Sequence, residues 1–409
     1  MTKMRKIGCL VLALAMGMSL AGCGGSDSGT IRIGAVGPLT GDSSNGGTDE
    51  LEGKQLAVED FNAAGGIDGK KVELFSEDDA SSASQSASAV TKLINQDKVV
   101  AIIGAHNSAC TLADLEVINK YEIPMITPGS SAETVLTSGC KWISRSFPGD
   151  GLQCSALINY ITTTGTPKKI GVIYSNDDFG QGGLKSLTAA AEAKGLEVAS
   201  ESFANEDKDM TTQLSKLKSE NIDCLFIWCQ YTPGALIMKQ ARALDWDVQF
   251  YSGTGTIHED TFSLSDGSYV GCINSVPFTS TSTDPKVQDF VKRYEEKFGE
   301  APSQNSARAY DATMILLNAI KAAGTTDAAK VQEAIRNTKD YDGMQGNISI
   351  DPETGEYIGD VMIVQAVEGN TWEYLDSAST NERFRNQQFR LRRASAGAAI
   401  EMAARGGSK

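Results

Sequence analysis

Apolar runs of strand length alternate with amphipathic helical patterns along most of this chain, and nothing else constrains its fold as strongly. Residues 31–36, 72–76, 99–103 and 125–127 read as strands. Between them, 51–63, 82–94 and 111–120 read as helices. Leu56, Val58 and Phe61 give the first helix its apolar face, and Gly65 and Gly66 stop it. Ser82 and Gln85 have the spacing of a capping box, which would satisfy the free N–H groups of the second. The pattern restarts after Phe147 and Pro148, with strands at 170–174, 198–203, 224–228 and 248–251 and helices near 183–194, 210–220 and 233–243. Strands separated by helices of this length form parallel βαβ units. The expected fold is therefore α/β, with two doubly wound parallel-sheet lobes. Helical segments 285–298, 307–323 and 331–338 follow, and 346–372 reads as short strands and turns.

Ligands of such sheets bind at the carboxyl ends of the strands, which between two lobes means the cleft. One strand end stands out. Gly104 to Leu115, GAHNSACTLADL, gathers small and hydroxyl-bearing residues where a strand turns into a helix. Any such turn needs small residues and a cap. Free N–H groups at the helix start, with the Ser108 and Thr111 hydroxyls, would also hold an anionic group.

The first residues have a different character. Lys3, Arg5 and Lys6 precede an apolar stretch, 7–20, that is short for a membrane span and suited to a secretory leader. It ends in Leu20-Ala21-Gly22-Cys23, which resembles the bacterial lipoprotein box. Cleavage after Gly22 would remove 1–22 as the signal peptide and leave Cys23 as a lipid-modified N-terminus. Residues 23–29 then read as a flexible tether, and the expected location is extracytoplasmic, anchored by lipid to the cell membrane. The formal charge of −15 becomes −18 without the three basic leader residues, which argues against nucleic acid and against docking on anionic lipid. Arginines at 383, 385, 390, 392, 393 and 405 make 379–409 a basic tail, expected to be disordered or loosely helical.

Cys110, Cys140, Cys154, Cys224, Cys229 and Cys272 are too sparse for a disulfide scaffold and lack C-x-x-C spacing. A Cys110–Cys140 bridge and buried free thiols both fit the pattern. Chemistry is otherwise scarce. The two histidines, His106 and His258, belong to no H-E-x-x-H, and there is no phosphate loop or G-x-S-x-G elbow. The chain reads as non-enzymatic, without cofactor or metal.

Several segments resemble a known family. They are Val36-Gly37-Pro38-Leu39-Thr40-Gly41, Ala64-Gly65-Gly66-Ile67-Asp68-Gly69-Lys70, Glu77-Asp78-Asp79, and Ile103-Gly104 with Ser108. Ile126-Thr127-Pro128-Gly129-Ser130-Ser131 and Asp178-Phe179-Gly180-Gln181-Gly182 complete the set. In this order, behind a lipoprotein-type leader, they look like the leucine/isoleucine/valine-binding proteins. These are solute receptors of ABC importers with the type I periplasmic-binding fold. The resemblance runs from about Ile31 to Leu375. It implies three hinge crossovers, with lobe one at 30–148 and 279–345 and lobe two at 149–278 and 346–378.

The same resemblance implies a site. Ser108 matches the serine that binds the solute's carboxylate at a helix N-terminus. Gly129 matches a carbonyl that accepts from the ammonium, and Ser131 a hydroxyl at the amino-acid head group. Phe179 and Tyr231 match second-lobe aromatics. Thr254 stands where the amino-acid binders place an acidic partner for the ammonium, so that charge must come from Asp178, Glu259 or Asp311, or be missing. The loop 41–47 lacks a covering aromatic, implying a roomier pocket or one closed by His106 or Trp228. The expected function is capture of a small carboxylate-bearing solute, an amino acid of branched-chain type, by a monomer that delivers it to an ABC permease. The alternatives are a non-amino-acid carboxylate or an amide on the same fold, and a sensory receptor domain.

Overall fold

The computed structural model describes residues 29–379. The leader, Cys23 and the basic tail from 380 lie outside the described residues. The first sheet holds β1 (Ile31–Gly37), β2 (Val72–Asp78), β3 (Ile102–Ile103), β4 (Met125–Thr127) and β5 (Ile143–Arg145) in the order β2-β1-β3-β4-β5. Every pairing is parallel. Adjacent residues point to opposite faces, so β3 sends Ile103 to one layer and Ile102 to the other. Helices α1 (Ser44–Ala63), α2 (Ala83–Lys92), α3 (Ser108–Tyr121) and α4 (Thr134–Thr137) connect these strands. Phe61 of α1 joins Ile103 in one core, and Val90 of α2 and Ile118 of α3 join Ile102 in the other.

The second lobe starts with α5 (Asp150–Thr164). Its strands are β6 (Lys169–Ser175), β7 (Glu197–Phe203), β8 (Cys224–Trp228), β9 (Gln249–Ser252) and β10 (Ile273–Val276). They run parallel in the order β10-β9-β8-β6-β7, linked by α6 (Asp178–Glu192), α7 (Thr211–Ser219), α8 (Tyr231–Ala243) and α9 (Glu259–Leu264). All five β8 residues are buried, which is why this strand reads as an unbroken apolar run. Phe226 and Trp228 face α5 and α6, while Leu225 and Ile227 face α7 and α8.

The chain returns to the first lobe through α10 (Pro285–Phe298), α11 (Gln304–Ala323) and α12 (Ala328–Arg336). A small antiparallel sheet follows, β11 (Tyr341–Gly343), β12 (Gly346–Ile350) and β13 (Tyr357–Ile358). Here the expected lobe boundary at 345/346 is corrected. Ile348, Ile350 and Tyr357 are buried in the core that holds Ile31 and Ile33, so the last crossover lies between β13 and β14. The hairpin β14 (Asp360–Val367) and β15 (Thr371–Ser379) then adds an antiparallel edge to the second sheet beside β10.

One local expectation changes, and one open choice is settled. Ser82 stands at the N-terminus of α2 without a side-chain cap hydrogen bond, so the capping box does not form. All six cysteines within the described residues are free thiols, Cys110 and Cys140 included.

Candidate functional site

The carboxyl ends of both sheets face one another across a cleft. The structure brings Ser108, Gly129, Ser131, Phe179, Tyr231 and Thr254 to the wall of one cavity there. Each comes from the segment that leaves a strand: β3 for Ser108, β4 for Gly129 and Ser131, and β6, β8 and β9 for the other three. Ser108 opens α3 after Asn107, whose side chain makes no capping bond to the helix. Thr111 takes no part in the cavity. Its hydroxyl accepts from the Ala105 N–H at 3.1 Å and meets the Ser130 hydroxyl at 2.5 Å, holding the loop in shape. Gly129 is required by a close approach: a Cβ there would lie 2.6 Å from the Cα of His106.

Phe179 leans toward Trp228 with ring centroids 6.2 Å apart, and Tyr231 stacks on His258 at 4.4 Å. Trp228 is buried in the second-lobe core rather than closing the cavity. His106 does line it, against Gly46. Of the two readings of the 41–47 loop, the one with His106 at the wall fits, and the closed cleft leaves about 20 Å³ of free space there, room for one water. Several bonds join the lobes, among them the Gly151 N–H to Glu133 at 2.8 Å and the Asp150 N–H to the Ser131 carbonyl at 2.9 Å beside the hinge. The Gln304 amide donates to the Thr254 carbonyl at 2.7 Å, and the Asn45 amide donates to Asp260 at 2.8 Å.

Sequence reading missed much of the remaining wall: Gln230, Ile257, His258, Asn305 and Arg308. Arg308 had a signal, a lone cation among small residues in the apolar part of α11. It stacks over Phe147 at 4.9 Å and reaches Glu50 of α1 at 3.3 Å. The two helices can come this close because Gly53 lies against the Ser306 carbonyl, where a Cβ would approach to 2.1 Å. Glu50 is fully buried and also meets His106 at 2.8 Å and Lys54 at 3.3 Å. Burial alone would raise its carboxyl, but Lys54, His106 and Arg308 hold it well below the usual range.

No carboxylate lines the inner cavity. Of the expected ammonium partners, Asp311 is committed elsewhere, accepting from the Met344 and Gln345 N–H groups at 2.8 and 3.0 Å. Asp178 lies in the first turn of α6, outside the wall. Glu259 lines an adjoining chamber of about 340 Å³, with Asp49, Asp260 and Glu300. Asp150 sits beneath Ser131 and is fully buried. Burial pushes it up to about 7, against the nearby Ser131 hydroxyl and the Arg145 guanidinium. Among the described residues no group of His, Cys, Asp and Glu could hold a metal ion.

A family model described as periplasmic binding protein matches residues 30–371. The chain belongs to the Leu/Ile/Val-binding family of periplasmic binding proteins. This is a family of non-catalytic solute-binding proteins. An amino acid binding protein of Pseudomonas aeruginosa is 28% identical over 340 residues, covering 82% of this chain and 89% of the relative. The crystal structure of a leucine binding protein from Thermotoga maritima superposes with a TM-score of 0.80 at 30% identity, over 86% of this chain and 99% of that one. A branched-chain amino acid transporter substrate-binding protein from Streptococcus pneumoniae, in complex with isoleucine, gives 0.78 at 28% identity, over 85% and 100%. The family's two-lobe architecture is thus the one seen here, with the cleft at the strand ends.

Proposed function

We propose that the chain is the extracytoplasmic solute receptor of an ABC importer. It captures a small carboxylate-bearing solute of the amino-acid class and hands it to a membrane permease. One observation carries the reading: loops from both lobes converge on a single cavity at the start of α3. The first N–H groups of a helix lack intrahelical partners and carry the positive end of its dipole, so they suit a carboxylate. The Ser108 hydroxyl adds a donor. The 20 Å³ left between the closed lobes means that a solute enters only when they part, and closes them again by its contacts to both.

Branched-chain amino acids are the first candidates because the Thermotoga and Streptococcus relatives are named for them. Their ammonium would rest on the Gly129 carbonyl and neutral side-chain oxygens, or reach the carboxylates of the adjoining chamber. A deaminated carboxylate or an amide is the second reading, favoured by the wall's lack of a carboxylate. Attachment would be through lipid on Cys23. Among the described residues no helix is long and apolar enough to cross a membrane.

A thermal-shift screen of the purified chain, stripped of carried-over solute, tests the reading, since binding to the folded state raises Tm by mass action. Amino acids, their keto acids and simple amides form the panel. A rise with a carboxylate that disappears in S108A is expected. No rise with any carboxylate, and no effect of S108A, would remove the proposal.

A further inference from the structure

Arg308 is 3% exposed, and its guanidinium cannot shed its charge at any ordinary pH. Among the described residues only its Nη2 is hydrogen-bonded; Nε is buried and has no acceptor. Unfilled donors on a buried cation are costly unless something supplies an acceptor. This group faces the inner cavity, beside the Asn305 amide and the His106 ring.

Local charge points the same way. Lys54 and Arg308 are two buried cations sharing one carboxylate, Glu50. The other acids nearby are Asp49, which accepts from Ser303 and Asn305, and Asp79, which accepts from the Ser81 N–H. Burial lifts them to about 7 and about 6, so near neutrality Asp79 is largely ionised, while Asp49, the one of the two whose charge acts on Arg308, is only partly so.

We infer that the solute carries a second carboxylate, and that Arg308 selects for it. This rests on the solute-receptor reading above. The first carboxylate lies at Ser108 and the start of α3, while the second meets the open edge of the guanidinium. L-aspartate branches where L-leucine does, with two oxygens in place of two methyl groups, so the two solutes have nearly the same shape and differ chiefly in charge.

Titration calorimetry on the stripped chain, with L-aspartate, L-glutamate, succinate and L-leucine as probes, tests this. Aspartate or succinate should bind about 30-fold or more tightly than leucine, in line with recognition through buried polar groups. The two diacids separate an acidic amino acid from a plain dicarboxylate. R308Q should weaken the diacids by about the same factor and leucine by clearly less, so that the preference for diacids over leucine collapses. Should R308Q not fold, R308K keeps a cation on Glu50 but lacks the planar fork, and should lose about tenfold toward diacids alone. Leucine tighter than every diacid, or diacid affinity untouched by both variants, overturns the inference. If leucine then still binds and weakens in S108A, the receptor reading survives without it. If nothing binds, both fall.

Discussion

Glu50 of α1 and His106 of the loop after β3 meet at 2.8 Å beneath the cleft, and Lys54, one turn further along α1, approaches the other Glu50 oxygen at 3.3 Å. One buried carboxylate therefore ties the first helix, the loop that carries Ser108 and, through Arg308, the helix α11. E50Q keeps the shape and removes the charge, leaving Lys54 and Arg308 buried without a counter-ion. Breaking a buried ion group in this way costs about 3–5 kcal/mol. Thermal unfolding should show Tm lower by roughly 4–7 °C in a chain of this size. An unchanged Tm would mean that water reaches the cluster.

Ser108 offers the most direct test of the site. Its hydroxyl accepts weakly from the Ala132 N–H at 3.4 Å, so little of the loop depends on it. Hydrogen bonds to charged groups contribute about 1.5–3 kcal/mol, so S108A should weaken solute binding about 10- to 100-fold with Tm of the free protein nearly constant. Wild-type affinity in calorimetry would reduce the hydroxyl to a turn residue.

Asp150 makes stability depend on pH. Its folded value of about 7 lies above the ordinary 3.8, chiefly through burial, and neither oxygen completes a hydrogen bond to the nearby Ser131 and Trp228 donors. The native state therefore binds more protons than the unfolded chain between those values, and stability falls as pH rises from about 4 to about 7. Asp311, raised to about 6 by burial, adds the same sign. D150N should be more stable than the parent at pH 8, by up to a few kcal/mol, and should flatten the slope seen in urea titrations between pH 5 and 8. A parent whose stability rises over that range contradicts the argument.

Eight of the ten strands in the two parallel sheets were legible as apolar runs, β8 to the residue, whereas β5 and β10 were missed because Ser144, Arg145, Asn274 and Ser275 break their apolar runs. The helix α5 escaped because its buried side includes Asp150, Gln153 and Cys154, which break the apolar period. The loop after β3 could be found by its position, and Ser108 with it, while Gly129, Ser131, Phe179, Tyr231 and Thr254 came from the family resemblance. The roles of Asn305 and His258 could not be read, since they depend on where α11 and α9 cross the cleft, which is set by packing between distant segments. Arg308 stands out as a lone cation, but nothing local says what it faces. The lobe boundary failed for a related reason. Ile348 and Ile350 alternate as in any half-buried strand, and nothing local says which sheet they cover.

Closure itself can be probed at Gln304. Its amide donates to the Thr254 carbonyl at 2.7 Å in a buried setting, whereas the bond from Asn45 to Asp260 is exposed. A buried hydrogen bond contributes about 1 kcal/mol net, and water competes for the exposed one. Q304A should therefore shift the balance toward open lobes about fivefold, while N45A changes it little. Because a solute binds the closed form, its affinity in Q304A should fall by a similar factor, mostly through faster release. Small-angle scattering without solute should give a larger radius of gyration for Q304A than for N45A, and saturating solute should bring the two together. Equal radii without solute, with equal affinities, would show that other contacts, such as the Gly151 N–H to Glu133 bond, hold the lobes shut and that the Gln304 bond follows closure.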